Sequence, residues 1–209
     1  MKSSLPVLAM FAAGCLAGHL GQLPGWLTSE QMTTVVLGLL LFFVGTTLGS
    51  NPRLGEIVRS LSPRLLLVPL ATAAGTLAAS AGVGLLLAHR NAVECMAVGS
   101  GFAYYSLSSV LITRLAEPSL GAAAAAELGT IALMANIIRE ISVLIFTPLI
   151  VRRFGPLAPI CAGGATTMDT TLPVITRYCG TQWVFIAVIH ALLLDFSVPF
   201  FVSFFCSLL

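Results

Sequence analysis

The chain reads as long apolar runs separated by short polar punctuation. Leu5 to Leu20, Met32 to Leu48, Leu65 to Ala88 and Gln182 to Leu209 are each apolar over roughly the ~20 residues that a helix needs to cross a bilayer. A fifth run, Leu128 to Val151, is also long enough but carries Asn136, Arg139 and Glu140 in its middle. Leu23-Pro24-Gly25 and Ser50-Asn51-Pro52 stop the first two runs. The pattern predicts an all-α polytopic membrane protein.

Two further runs, Cys95 to Leu115 and Leu157 to Tyr178, are apolar but broken. The first contains Gly99-Ser100-Gly101-Phe102-Ala103-Tyr104-Tyr105, and the second contains Gly163-Gly164-Ala165-Thr166-Thr167-Met168-Asp169-Thr170-Thr171-Leu172-Pro173. Hydrocarbon neither hydrogen-bonds loose backbone nor solvates a carboxylate. Such stretches therefore sit at membrane depth only where protein or a water-filled cavity surrounds them.

Charge bears on the threading. Arg53, Arg59 and Arg64 follow the second run, and Arg152 and Arg153 follow the Glu140 run, so both loops are expected in the cytoplasm. If Cys95 to Leu115 crossed, Arg152 and Arg153 would lie outside. A re-entrant hairpin restores parity. The resulting expectation is about five transmembrane helices, Lys2 inside, Leu209 outside, and two opposed re-entrant hairpins as in inverted-repeat transporters. Arg90 and Arg114 then lie outside, against the rule, and seven ordinary spans are the rival threading.

Composition agrees with a membrane chain: 57% hydrophobic and 9% charged residues, with a mean hydropathy of +1.01. A soluble domain has about 25% charged residues. The 209 residues are expected to form a single transmembrane transport domain. The scattered charges, net +2, leave no footprint for nucleic acid. Cys15, Cys95, Cys161, Cys179 and Cys206 form no C-x-x-C pair and read as reduced packing residues. Lys2, the apolar run from Leu5 and Ala12-Ala13-Gly14-Cys15 have the outline of a lipoprotein signal, but Phe11 and Ala12 stand where leucine belongs. The segment is expected to stay as a helix.

Glu140 and Asn136, four residues apart, share one helical face, with Thr147 close to it. Adjacent helical residues point about 100° apart, so Arg139 is expected to reach another segment rather than Glu140. Intramembrane acids are expensive and usually line pathways or proton relays, which makes Glu140 and Asp169 the leading candidates. Thr166, Thr167, Thr170 and Thr171 offer neutral ligands beside Asp169, and that setting suits a cation.

Gly99, Ser100 and Gly101 suit the approach of an anionic group to backbone N–H, and Tyr104 and Tyr105 suit stacking or cation–π contact. Gly163 and Gly164 belong to the second break. Asp195 lies in the last run ahead of Pro199 and either lines the cavity or satisfies a kink. His190 reads as a packing histidine, and Glu94 and Glu127 as interfacial. No G-x-S-x-G, H-E-x-x-H or His/Cys ligand pair occurs. Neither an enzyme, a metal nor a cofactor is expected, and transport remains.

Gly99 to Leu107, Asn136-Ile137-Ile138-Arg139-Glu140 and Gly163 to Pro173, in that order, resemble the LysO-type lysine exporters of bacterial inner membranes. The resemblance runs from about Met32 onward. It implies export of L-lysine and analogues such as thialysine, essential intramembrane acids at Glu140 and Asp169, and a carboxyl terminus outside; Asp195 has no firm counterpart. Familiar members carry further helices ahead of the matched part. The resemblance therefore implies either a homo-oligomer or a small separate membrane subunit.

The expected mechanism holds the lysine side-chain ammonium at Asp169 or Glu140. The carboxylate lies at Gly99 to Gly101 or at Arg139, and proton entry drives exit. Rival readings are a sodium-coupled carboxylate importer and a non-catalytic membrane subunit completing a split transporter.

Overall fold

A computed structural model describes residues 63–209 continuously and only isolated positions between 13 and 46. The chain divides into two compact units, Met1–Leu54 and Gly55–Leu209. Apart from those isolated positions, the expected spans Leu5 to Leu20 and Met32 to Leu48 lie outside the described residues, as do Lys2, Cys15, Arg53 and Arg59.

Within the second unit the described residues form helices and no strand. Helix α1 (Pro63–Leu86) contains Pro69. Helix α2 (Ala92–Gly99) starts at Asn91, whose side chain accepts the Glu94 N–H at 2.7 Å, a cap worth about 1 kcal/mol. Gly84 lies against the backbone of Ala92, where an added Cβ would come within 2.6 Å of the Ala92 Cα. Gly99 at the other end of α2 reaches Ser80 and Thr76. Thus α2 folds back along α1.

Helix α3 (Tyr105–Leu115), the single turn α4 (Glu117–Leu120) and α5 (Ala122–Phe154) follow. At 33 residues, α5 is about 50 Å long. It begins six residues before the expected Leu128 because Ala122 to Ala126 are strong helix formers without being strongly apolar. It stops at Gly155, whose φ of +82° a helix cannot continue.

Three contacts fix the course of the first broken segment. Arg90, just before α2, pairs with Glu127 near the start of α5 at 2.5 Å. Gly129 packs on Ser109 and Thr113 of α3. The Ala103 N–H, between α2 and α3, donates to Asn136 Oδ1 at 2.8 Å. The segment therefore enters and leaves at the start of α5 and turns halfway along it. Glu94, expected at an interface, is buried and completes the cluster through Arg90 at 3.1 Å. Its hydrogen bond with Glu127, the largest influence, holds the Arg90 pKa above its ordinary value.

The second broken segment comprises α6 (Leu157–Gly163), a 3₁₀ turn (Gly164–Met168) and α7 (Leu172–Cys179). Ile160, Ile175, Cys179 and Ala187 form one apolar cluster with Val151, Leu172 and Trp183 packed on it. Both limbs thus return to the far end of α5. A short 3₁₀ turn (Thr181–Trp183) leads into α8 (Val184–Cys206). Among the described residues three helices are long and apolar enough to cross a membrane: Leu66–Leu86, Ala122–Phe154 and Thr181–Cys206. They coincide with three of the expected runs.

Candidate functional site

The two breaks meet. The Ala165 N–H donates to the Phe102 carbonyl at 2.9 Å, and Gly164, at φ +59°, lies against the same carbonyl where no Cβ fits. Phe102 and Ala103 adopt φ of 45° and 77°, a region that residues with a Cβ rarely enter. Asn136 holds that conformation by accepting the Ala103 N–H while its Nδ2 donates to the Ala132 carbonyl at 2.9 Å. The Phe102 ring packs edge-on against Phe201 of α8, with centroids 5.6 Å apart. Nothing in the local sequence signals this left-handed pair.

The amides of the first tip are engaged. Ser100 N–H donates to Met96, Gly101 N–H to Val98, Phe102 N–H to Gly99 and Tyr104 N–H to Gly101. In the second tip Thr166 Oγ1 donates to the Gly163 carbonyl at 2.8 Å, Thr167 Oγ1 to the Ala187 carbonyl at 2.9 Å, and Thr171 Oγ1 to the Thr166 carbonyl at 3.0 Å. The Thr170 hydroxyl is buried beside the Asp169 carboxylate.

The carboxylates gather around these tips. Glu140 is fully buried on the α5 face that also buries Asn136 and Thr147. Asp169 is exposed, with Oδ1 accepting the Thr170 N–H at 2.5 Å. Asp195 is buried in α8, and Pro199, lacking an N–H, frees its carbonyl from the helical ladder. Asp169 lies within electrostatic reach of Asp195, Tyr104 and Tyr105, and Glu140 within reach of Tyr105. These five expected residues share one neighbourhood. Among the described residues no three His, Cys, Asp or Glu side chains are grouped as a metal ion requires.

Arg139 reaches away from Glu140. Its Nε donates to the Ala162 carbonyl at 2.7 Å and its Nη2 to the Cys161 carbonyl at 3.0 Å, at the inner end of α6. It also lines a cavity of about 720 Å³ between α1, α2, α5 and α6, into which Thr72, Thr76, Ser80, Gly99 and Asn136 face. His190, buried in α8, meets Thr72 at 2.9 Å. The Thr72 hydroxyl donates to the Val68 carbonyl at 3.0 Å, so it accepts from His190 Nε2–H. That polar link between α8 and α1 joins residues 118 positions apart, and no local pattern announces it.

A family model described as lysine exporter LysO matches residues 8–206. The lysine exporter LysO of Escherichia coli is 32% identical over 181 residues, covering 86% of this chain and 56% of that protein. A putative lysine exporter of Haemophilus influenzae is 29% identical over 197 residues, covering 90% of this chain and 94% of that protein. The chain thus spans about half the length of the Escherichia coli relative and nearly all of the Haemophilus one. No solved structure matches the chain.

Proposed function

The chain belongs to the lysine exporter LysO family, and from that membership we propose that it exports L-lysine, with analogues such as thialysine, across a bacterial inner membrane in exchange for protons. The observation that carries the reading is the gathering of buried Glu140 and Asp195 and exposed Asp169 around two touching chain breaks in an apolar helical body. A carboxylate at that depth is stabilised by a cation, and lysine brings two ammonium groups. Proton binding to the same carboxylates weakens their hold on the cation, which couples proton entry to lysine exit.

In this reading residues 1–209 act as one transport domain with about five crossings, the two helix–break–helix segments being opposed re-entrant hairpins. Their return to opposite ends of α5 supports that architecture. Arg152 and Arg153 lie in the cytoplasm and Leu209 outside. The transporting unit is a homo-oligomer or includes a small separate membrane subunit.

The test is counterflow of radiolabelled lysine in proteoliposomes of the purified chain, across an imposed proton gradient. Lysine accumulation that follows the gradient is the expected result. Sodium-dependent uptake of an organic acid, with no response to lysine, overturns the proposal.

A further inference from the structure

We infer that Arg139 is the carboxylate anchor of the transport site, so that the protein distinguishes an amino acid from the corresponding diamine. The inference rests on the lysine reading above and adds the group that reads the other end of the substrate.

A guanidinium has five N–H donors in a planar fork. Two of those of Arg139 are taken by the Cys161 and Ala162 carbonyls, which are neutral and bring no opposite charge. Its ion-pair partner is absent among the described residues: Glu140 is adjacent on α5 but turned about 100° away, and the acids that pair with arginine elsewhere belong to Arg90 and Arg114. A half-buried cation with no described counter-ion is costly in a membrane protein, and an anion that reaches it lowers that cost.

The place for that anion is on the page. Arg139 lines the cavity of about 720 Å³, within the usual size of a small-molecule site, with three of its five N–H donors beyond the two carbonyl bonds. Among the described residues no aspartate or glutamate lines that cavity; its charged described residues are Arg90 and Arg139, and Arg90 is already held by Glu94 and Glu127. The alternative anion site, the amides of Gly99 to Gly101, is spent on backbone carbonyls.

Arg139 and Glu140 are neighbours on α5, Arg139 in the cavity wall beside Asn136 and Glu140 on the buried face that Asn136 shares. A substrate with a carboxylate at one end and an ammonium at the end of an aliphatic chain carries the two charges that Arg139 and the carboxylates complement. Because Arg139 is tied to the inner end of α6, a carboxylate drawn to it also bears on the second hairpin.

The experiment is lysine counterflow in proteoliposomes of the whole chain, competed by lysine and by cadaverine, which is lysine without the carboxylate. Wild type should prefer lysine by about tenfold or more, the scale of a charge-assisted bidentate contact. Arg139→Gln should bring lysine to within about twofold of cadaverine while leaving cadaverine competition unchanged, and Arg139→Lys should keep part of the preference. Equal competition in wild type overturns the inference whatever any variant does, as does a preference retained in Arg139→Gln or a parallel loss for both competitors. A wild type inactive on lysine removes the proposed function and this inference together; a wild type active on lysine with an unchanged variant removes only the inference.

Discussion

The Ala165 N–H donates to the carbonyl of Phe102 at 2.9 Å, joining the turning points of two segments that enter from opposite ends of α5. A backbone bond between two chain breaks couples them: neither tip shifts without breaking it or carrying the other along. Loosely hydrogen-bonded backbone is tolerated at membrane depth only where protein or a cavity encloses it, and here each break encloses the other.

Gly164 is where that contact is most easily spoiled. Its φ of +59° and the Phe102 carbonyl against it both exclude a side chain, whereas Gly121, at φ +81°, has open space around it. Each alanine replacement carries backbone strain of about 1–3 kcal/mol, but only Gly164→Ala also pushes the tips apart. Thermal unfolding of the detergent-purified variants should fall for both and further for Gly164→Ala. Lysine counterflow should be lost only there, and equal behaviour of the two would show that the tip contact is dispensable.

Asn136 supplies a second handle on the same tip. Asn136→Leu leaves the buried Ala103 N–H without its acceptor, a loss of about 1–3 kcal/mol. Asn136→Asp keeps an acceptor at that place. The unfolding temperature should drop clearly for the leucine variant and less for the aspartate variant. Equal drops would mean that the Nδ2 bonds to Ala132 and Ser108, which both variants lose, matter more than the Ala103 contact.

The broken segments and the acids were legible because glycine pairs, threonines and carboxylates stand out in an apolar chain, and helical spacing alone put Asn136, Glu140 and Thr147 on one face. The destination of Arg139 was legible only as a direction: spacing turned it away from Glu140, but the carbonyls of Cys161 and Ala162 carry no residue signature. The left-handed pair Phe102 and Ala103 was invisible because Asn136, 33 residues on, imposes it. The start of α5 was misjudged because alanine favours a helix more strongly than it favours oil.

The course of the first broken segment predicts an accessibility pattern. His89 and Ser119 flank it and Arg153 lies in the last turn of α5, at its far end; all three are exposed. With Cys15, Cys95, Cys161, Cys179 and Cys206 replaced, single cysteines at 89 and 119 should react with a membrane-impermeant thiol reagent from the same side, and one at 153 from the other. Labelling of 89 and 119 from opposite sides would favour a segment that crosses.

Glu140 offers the sharpest separation of function from folding. It is fully buried, and Glu140→Gln keeps its shape while removing the charge that a cation needs and the site that a proton needs. Glutamine fills the same volume, so the variant should still insert and fold. Lysine counterflow should fall about tenfold or more, the scale of a lost charge-assisted contact. Asp169→Asn should behave alike, although its exposed position makes its stability still less sensitive. Asp195→Asn should retain part of the activity, since Glu140 and Asp169 keep their charges beside the tips. Normal proton-coupled efflux by Glu140→Gln would remove Glu140 from the mechanism; loss of efflux together with loss of folded protein would instead make it a packing residue.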